Sequence, residues 1–289
     1  MDSEEPSNTT EANRTPAQPV ETEVYGPIEV VYRDEHYIAV VKPNGLLVHR
    51  APQTPKEDPV LLQLLRDQIG QYLYPVHRLD RPTRGLIIFG LHSDAAARLV
   101  RLFTDRKVKK SYHAVVRGFV PPAGVIDLPL RERFGEEEDP DFDPAFRPTQ
   151  PAKTRFRAVS WFEMPWANAE FPTSRYSLVE ALPETGRWHQ IRRHLKHIDH
   201  PILGDYRHGD SWHNQKSTAE TGIDRLLLTA THLEFIHPFT EQPLVLDAPL
   251  GEPIEKVLEV MRSGQVAIEL SKVPEHKIAA LGVPPIEFV

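Results

Sequence analysis

The sequence predicts an α+β fold around a mostly antiparallel or mixed sheet. The predicted strands outnumber the helices and follow one another in groups, with few β–α–β alternations, which favours this fold class. No internal repeat of about 20 to 50 residues occurs, and the Gly-x-Gly-x-x-Gly and Walker patterns are both absent. The sequence patterns therefore support neither a solenoid fold nor a nucleotide-cofactor fold.

Residue periodicity and turn residues place the individual elements. Asp58 and Pro59 suit an N-cap and a first helical position, which predicts a helix through Ile69. Ser93 is expected to cap the second helix. The residues of that helix predicted to face the core share a helical period: Ala96, Leu99, Val100 and Phe103. Two further helices are predicted at 188–198 and 254–261, and strands at 28–32, 37–41, 86–89, 112–119, 154–162, 176–182, 226–235 and 244–246.

The composition divides the chain into three parts. Residues 1–26 are rich in Ser, Thr, Pro, Asn and Glu with almost no large apolar side chains, so we expect a disordered N-terminal extension. Residues 27–263 are expected to form one folded domain, in which the acidic segment 132–148 is a mobile loop. No structure is assigned to the C-terminal tail, residues 264–289.

The composition also excludes several classes of protein. Cys is absent, which rules out disulfides and thiolate metal sites and suits a reducing compartment. No apolar run approaches the roughly 20 residues that span a bilayer, and the N-terminus lacks a signal-peptide pattern. We therefore expect a cytoplasmic protein that has no contact with membranes. A monomer is the expected state, but the composition does not decide it.

The net charge of −7 argues at first against a nucleic-acid partner, but the acids are concentrated in two segments. Residues 1–25 carry −5 and residues 132–143 carry −6, which leaves +4 for the remainder of the chain. Residues 98–117 hold seven Lys and Arg residues and one acid. Such a basic stripe is enough to bind a phosphate backbone whatever the total charge.

The stretch from residue 77 to 90 contains the most suggestive chemistry. Asp80 lies between Arg78 and Arg81, and a Pro-Thr turn and Gly85 lead from it into an apolar strand. Because nearby cations favour an ionised carboxylate, and a turn presents a side chain rigidly, Asp80 is a candidate nucleophile or general base. The charge pattern alone is equally compatible with a surface salt-bridge cluster.

A second run, residues 186–195, is rich in Arg and His. On a helix His189, Arg192 and Arg193 share a face, where they could hold a carboxylate or a phosphate or form a solvated basic surface. His194 and Asp205 belong to a set of residues that would suit a metal ion. No metallohydrolase spacing occurs, however, and the arginines repel a cation, so we expect no metal.

Two single residues have both an ordinary and a functional interpretation. Tyr112 begins an alternating strand and is most simply a strand aromatic, but beside a carboxylate in a cleft it would stack on a base or relay a proton. Lys42, in a Lys-Pro-Asn-Gly turn, is interpreted as a turn residue.

Four motifs in one order resemble those of the RluA-type pseudouridine synthases. The sequence His-Arg-Leu-Asp-Arg-Pro-Thr-x-Gly at 77–85 resembles their catalytic signature. Their first motif is resembled by segment 34–45, and their third motif by segment 186–205. Segment 110–118 resembles the strand that carries their active-site tyrosine. The likeness covers residues 27–250, and Arg84 stands where the family has Ser.

The resemblance implies the pseudouridine synthase fold, a mostly antiparallel or mixed central sheet flanked by helices with a central catalytic cleft, and makes residues 27–263 the catalytic domain. It also implies an isomerase that flips a uridine out of RNA, breaks its N1–C1′ bond and rejoins the base through C5, without metal or cofactor. Asp80 would be the essential carboxylate, attacking C1′ or acting by another route, with Arg192 as its counter-charge and Tyr112 stacked on the uracil. The residues expected to contact the RNA are Arg78, which would insert into the stack, His77, Ile191, Arg187, Lys109 and Lys110.

The substrate is expected from a likeness within the family. Residues 48–50, 66–71 and 174–180 resemble a subgroup that acts on tRNA, which suggests uridine 65 of tRNA as the target, with ribosomal RNA as the alternative. Two functions of other classes remain open at this point: an RNA-binding module without catalysis on the same fold, and a His/Asp metal hydrolase.

Overall fold

A computed structural model describes residues 25–50, 54–55, 57–131 and 148–267. Its strands are β1 Val30–Arg33, β2 Tyr37–Lys42, β3 Tyr74–Pro75, β4 Arg84–Gly90, β5 Lys109–Arg117, β6 Ala123–Asp127, β7 Leu130–Arg131, β8 Thr149–Gln150, β9 Lys153–Met164, β10 Ser174–Pro183, β11 Leu228–Ile236 and β12 Pro243–Asp247. Its helices are α1 Leu61–Ile69, α2 Ser93–Thr104, α3 Gln190–His197, α4 Ser211–Thr221 and α5 Glu252–Gly264.

The predicted α+β class with a mixed, mostly antiparallel sheet is confirmed. Ten strands form one sheet in the order β1-β2-β4-β11-β5-β10-β9-β6, with β12 added to β11 and β3 added to β4. Among the paired strands only β4 and β11 run parallel, and this pair joins the two halves of the sheet. The loop before β4 is therefore held at the middle of the sheet, where only β11 separates β4 from β5.

Two predicted helix starts are wrong by one or two residues. Helix α1 begins at Leu61 rather than at Pro59, because Val60 has an extended backbone and forms a bridge with Leu47. Helix α2 is capped by His92, whose ring accepts the backbone N–H of Ala95, and not by Ser93. Val100 is 41% exposed, so it does not face the core as predicted.

Some short elements were missed by the sequence analysis. The largest is α4, which is amphipathic only weakly and carries few large apolar residues. Its signals lie at its ends: the Asp210 side chain accepts the backbone N–H of His213, and Gly222 ends the helix in the left-handed conformation. Polar caps of this kind identify a helix even where the hydrophobic period is absent.

The core is divided between the two halves of the sheet. One buried cluster packs β5, β9 and β10 against α3 and α5, and a second packs β2 and β4 against α1. Tyr112 packs against both clusters. At the centre of the sheet, the Tyr112 side chain is therefore held by both clusters.

Three expectations fall mostly on residues outside the described ranges: the N-terminal extension, the acidic loop and the C-terminal tail. Helix α5 extends to Gly264, one residue into the segment that was left unassigned. None of the helices in the described part of the chain is long and apolar enough to cross a bilayer.

Gly85 is required where β4 meets β11. Its φ is +115°, and a Cβ there would lie 2.1 Å from the carbonyl oxygen of Ala230. Gly85→Ala should lower the free energy of unfolding by at least about 3 kcal/mol, because backbone strain and a backbone clash add together. Urea unfolding of the purified variant measures this loss.

Gly70→Ala is the matched control for that prediction. Gly70 also has a positive φ, of +66°, but a Cβ at this position would meet nothing within 4 Å. Only the cost of the left-handed conformation remains, about 1 kcal/mol. Equal losses in the two variants would show that the close approach of β4 to β11 is not what requires glycine at position 85.

Candidate active site

A cleft of about 660 Å³ opens at the centre of the sheet, a volume typical of small-ligand sites. Its walls come from the loop before β4, the end of α2 with the start of β5, and the segment that runs from β10 into α3. All three proposed catalytic residues line it: Asp80, Tyr112 and Arg192. Distant parts of the sequence are thus brought together as the sequence analysis expected.

Asp80 lies on the loop between β3 and β4, and its side chain is 19% exposed. Its carbonyl oxygen accepts the backbone N–H of Thr83 at 3.0 Å, which fixes the turn. Burial raises the pKa of the Asp80 carboxyl, and the positive charge and hydrogen bond of Arg192 act against this rise. The balance produces a desolvated and therefore more basic carboxylate than an ordinary surface aspartate.

Arg192 is the buried cation of the site, but its main partner is Asp205. Its Nε and Nη2 donate to the two carboxylate oxygens of Asp205 at 2.7 and 2.8 Å, and Nη1 donates to Oδ2 of Asp80 at 3.3 Å. The two carboxylates hold the pKa of Arg192 above its ordinary value despite burial. Arg192 is therefore fixed by Asp205 and presents one remaining edge to Asp80.

Asp205 is the most important residue that the sequence analysis did not place in the site. Its side chain is 1% exposed. Oδ1 also accepts the backbone N–H groups of Arg207 and His208 at 3.0 Å each. These bonds and the Arg192 fork hold its pKa low, so Asp205 is an ionised anchor. Its place in the third motif was a usable signal, but the sequence analysis assigned it only to a metal alternative.

His189 lies near Asp80 because its backbone departs from the helix. Its φ of +50° places it before the first turn of α3, and its Nε2 is 3.8 Å from Oδ2 of Asp80. Its other ring nitrogen is 2.8 Å from Nε2 of His208. Burial and the Arg192 charge lower the pKa of His189 to about 3, so the ring is neutral. His189 and Arg192 thus both approach Asp80, whereas Arg193 contacts the Arg131 carbonyl and the Trp188 ring.

Tyr112 projects from β5 into the cleft between the two core clusters. Burial raises the pKa of its phenol far above the ordinary value, and the charge of Asp80 adds to the effect. The phenol is therefore protonated at neutral pH. Such a side chain offers an aromatic face and a hydrogen-bond donor, but not a base.

Lys42 is a buried anchor and not simply a turn residue. Its side chain is fully buried, and its Nζ donates to the carbonyl oxygens of Pro43, Leu46 and Arg81 at 2.8 to 2.9 Å. Burial lowers its pKa to about 7, while the charge of Asp80 acts in the opposite direction. Lys42 thus joins the end of β2 to the loop that carries Asp80.

Five of the six residues expected to contact RNA line the cleft: Arg78, His77, Ile191, Arg187 and Lys110. Arg78 is exposed at the mouth. Burial lowers the pKa of Lys110 to about 8. His77 has a structural contact, because its Nε2 accepts the backbone N–H of Ile88 at 3.1 Å. Lys109 lies on the other face of β5, where its Nζ pairs with Glu234 at 2.8 Å.

The basic stripe predicted at 98–117 is not one surface. Lys110 and Arg106 line the cleft, whereas Arg98 pairs with Asp94 and Arg117 pairs with Asp210. Alternate residues of β5 point to opposite faces of the sheet, which separates Lys110 from Lys109 and Arg117. Arg98 lies on α2.

Arg84 also lies outside the cleft lining. Its Nη1 is 3.3 Å from the carbonyl oxygen of Pro249, and a Cβ on Gly251 would lie 2.6 Å from its guanidinium. The departure from the family signature at this position is accommodated by the loop before α5.

The described residues contain no group of three or more His, Asp or Glu side chains arranged to hold a metal ion. His194, proposed for such a site, instead contacts the Thr154 hydroxyl at 2.9 Å and the Leu128 carbonyl at 3.1 Å. The metal-hydrolase alternative therefore has no site in this part of the chain.

The family follows from a match to a known family model. The model described as RNA pseudouridylate synthase matches residues 36–197, more than half of the chain. The chain belongs to the RNA pseudouridylate synthase family. The matched range contains Asp80, Tyr112 and Arg192, and Asp205 lies just beyond it. An RNA pseudouridylate synthase is an isomerase, as the sequence analysis expected.

Relatives and solved structures agree with this assignment. The protein is 45% identical over 225 residues to tRNA pseudouridine synthase C of Vibrio cholerae, a match that covers 78% of this chain and 92% of the relative. It is 42% identical over 246 residues to the protein of the same name from Yersinia pestis, covering 85% and 95%. The subgroup likeness inferred from the sequence is thus confirmed.

Two solved human structures resemble this RNA pseudouridylate synthase in fold. One is titled RNA pseudouridylate synthase domain containing 4; its TM-score is 0.60 at 28% identity, and the match covers 81% of this chain and 93% of that one. The other, domain containing 1, has a TM-score of 0.62 at 21% identity and covers 94% and 100%, which supports the fold alone.

Proposed function

We propose that this enzyme isomerises a uridine of tRNA to pseudouridine, with uridine 65 as the target and Asp80 as the catalytic carboxylate. The relatives named tRNA pseudouridine synthase C support the class of RNA. The observation that carries the role of Asp80 is its geometry. It is a desolvated carboxylate on a fixed turn of the cleft, with one hydrogen bond from a buried arginine.

The cleft supplies what the reaction requires of the protein. Isomerisation breaks the N1–C1′ bond, forms a C5–C1′ bond, and moves a proton from C5 to the solvent while N1 gains one. The Asp80 carboxylate acts at the ribose, either by attack on C1′ or by accepting a proton. Its raised basicity favours both routes. Arg192 keeps the carboxylate in place and limits the cost of burying its charge.

The flipped base is held by the residues around Asp80. The Tyr112 ring stacks on the uracil and, because its phenol stays protonated, donates a hydrogen bond rather than removing the C5 proton. Ile191, 7% exposed, packs against the base. The exposed Arg78 guanidinium occupies the place that the flipped base leaves in the RNA stack.

Mapping pseudouridines in total RNA from cells with and without the gene tests the target. We expect one pseudouridine, at position 65 of tRNA, to be lost when the gene is removed. Loss of a ribosomal pseudouridine with intact tRNA would contradict the proposed substrate and favour the ribosomal alternative. Purified protein that releases no tritium from uridine labelled at C5, in either RNA class, would instead indicate a binding module without catalysis.

A further inference from the structure

We propose that a second RNA-binding surface lies beside the cleft and binds the phosphate backbone next to the flipped uridine. It consists of Arg187, Trp188, Arg193, Tyr206 and Arg207, and we call it the Trp188 face. This inference rests on the proposed action on RNA and extends it to how the strand outside the cleft is bound.

The Trp188 face is continuous with the cleft. Arg187 and Trp188 themselves line the cleft, and the Trp188 ring stacks on His189 with 3.7 Å between centroids and 21° between planes. The guanidiniums of Arg207 and Arg193 lie 5.0 and 5.8 Å from the centre of the same indole ring. A strand whose uridine enters the cleft must therefore pass close to these charges.

Two guanidiniums of this face, those of Arg187 and Arg193, donate to neutral carbonyl groups. Arg187 donates to the carbonyl oxygen of Pro151 at 3.1 Å, and Arg193 donates to those of Arg131 and Trp188 at 3.0 and 3.5 Å. Within the described ranges neither forms an ion pair with a carboxylate. By contrast, six arginines that do not line the cleft pair with carboxylates: Arg81, Arg98, Arg117, Arg155, Arg157 and Arg175. Positive charges that are fixed in place but not neutralised suit phosphate, since little ordering remains to be done on binding.

The turn that carries Tyr206 and Arg207 is held by Asp205, the residue that also binds Arg192. Oδ1 of Asp205 accepts the backbone N–H groups of Arg207 and His208, while the same carboxylate holds Arg192. Tyr206 lies between Asp205 and Arg207 in sequence. It is 74% exposed, which is unusual for so large an aromatic side chain. Tyr206 is next to Arg207 in sequence, and an exposed aromatic side chain together with arginine charges is the combination that binds a single strand by stacking and charge.

The test measures binding and turnover separately on an unmodified tRNA transcript with uridine at position 65. For Arg193→Gln/Arg207→Gln we expect Kd, and KM with it, to rise at least 10-fold while kcat at saturation stays within twofold. The slope of log Kd against log salt should shrink by about 1.5, because two phosphate contacts are lost. Tyr206→Ala should raise Kd about 5-fold or more with no change of slope, because it removes stacking and not charge.

Two further variants identify the cause of the effect. Arg33→Gln/Arg175→Gln removes one exposed and one partly exposed arginine, neither of which lines the cleft, and we expect its Kd and salt slope to match those of the wild-type protein. Arg193→Lys/Arg207→Lys keeps the charges and should recover most of the salt slope. A melting temperature for each variant shows that it is folded.

Several outcomes would overturn the proposal. A Gln double variant that binds as tightly as the unmodified protein, or one that loses kcat at unchanged KM, excludes a backbone-binding role for the face. An equal loss of affinity in the Arg33/Arg175 variant would show that only total charge matters. Failure of the proposed function is distinguishable, because the unmodified protein would then form no pseudouridine in the transcript, whatever the variants do.

Discussion

Asp80→Asn should abolish pseudouridine formation, with a loss of at least about a thousandfold, or ~4 kcal/mol of transition-state stabilisation. The amide has nearly the shape of the carboxylate but can neither attack C1′ nor accept a proton. Folding and RNA binding should survive, because Arg192 keeps its two hydrogen bonds to Asp205 when Asp80 is neutral. Tritium release from C5-labelled tRNA measures turnover, and a binding assay on the same RNA measures affinity.

Asp58→Asn is the matched control for that substitution. Asp58, which precedes α1, pairs at 4.0 Å with Arg81 on the loop that carries Asp80. Asp58 is partly exposed and does not line the cleft. Its loss should leave turnover within about twofold, as expected for an exposed ion pair worth under 1 kcal/mol. Turnover retained in Asp80→Asn would contradict the assignment of the catalytic carboxylate. Loss in both variants would point to the conformation of the loop instead.

The sequence predicted those parts of the site that depend on short, contiguous motifs. Asp80, Tyr112 and Arg192 each belong to a motif that specifies its own turn, strand or helix, and the sheet brings these three elements together. Most strand positions were also predictable, because buried strands such as β2 and β4 are continuous apolar runs.

The missed features depend on contacts between segments that are distant in sequence. Lys42 and Arg81 are 39 residues apart, and no local pattern shows that a lysine side chain will be buried among carbonyl groups. The pairing of Arg192 with Asp205 is likewise a tertiary contact, and an Asp after a Gly is most simply read as part of a turn. Lys109 lies outside the cleft lining for a different reason: basic residues adjacent on a strand point to opposite faces, which a charge count does not register.

Arg192→Lys should lower kcat between about 10- and 100-fold, or roughly 1.4 to 2.8 kcal/mol. Lysine keeps the charge, but a single ammonium group cannot bind both oxygens of Asp205 and also reach Asp80. The carboxylate of Asp80 then loses part of the interaction that opposes its desolvation. Because a neighbouring cation lowers the pKa of a carboxyl, that pKa should rise further in the variant.

The pH profile separates this positioning role from a purely structural one. Turnover requires the ionised carboxylate and falls as pH drops through its pKa, so the acid limb should move to higher pH in Arg192→Lys. Arg193→Lys, the adjacent substitution on α3, should leave both kcat and the acid limb unchanged, because Arg193 contacts carbonyl groups and Trp188 rather than Asp80. An Arg192→Lys enzyme with a reduced kcat but an unmoved acid limb would mean that Arg192 supports the fold of the cleft and does not act on Asp80. An unchanged kcat and an unmoved limb would exclude both roles and leave the Asp205–Arg192 pair as a contact without consequence for the reaction.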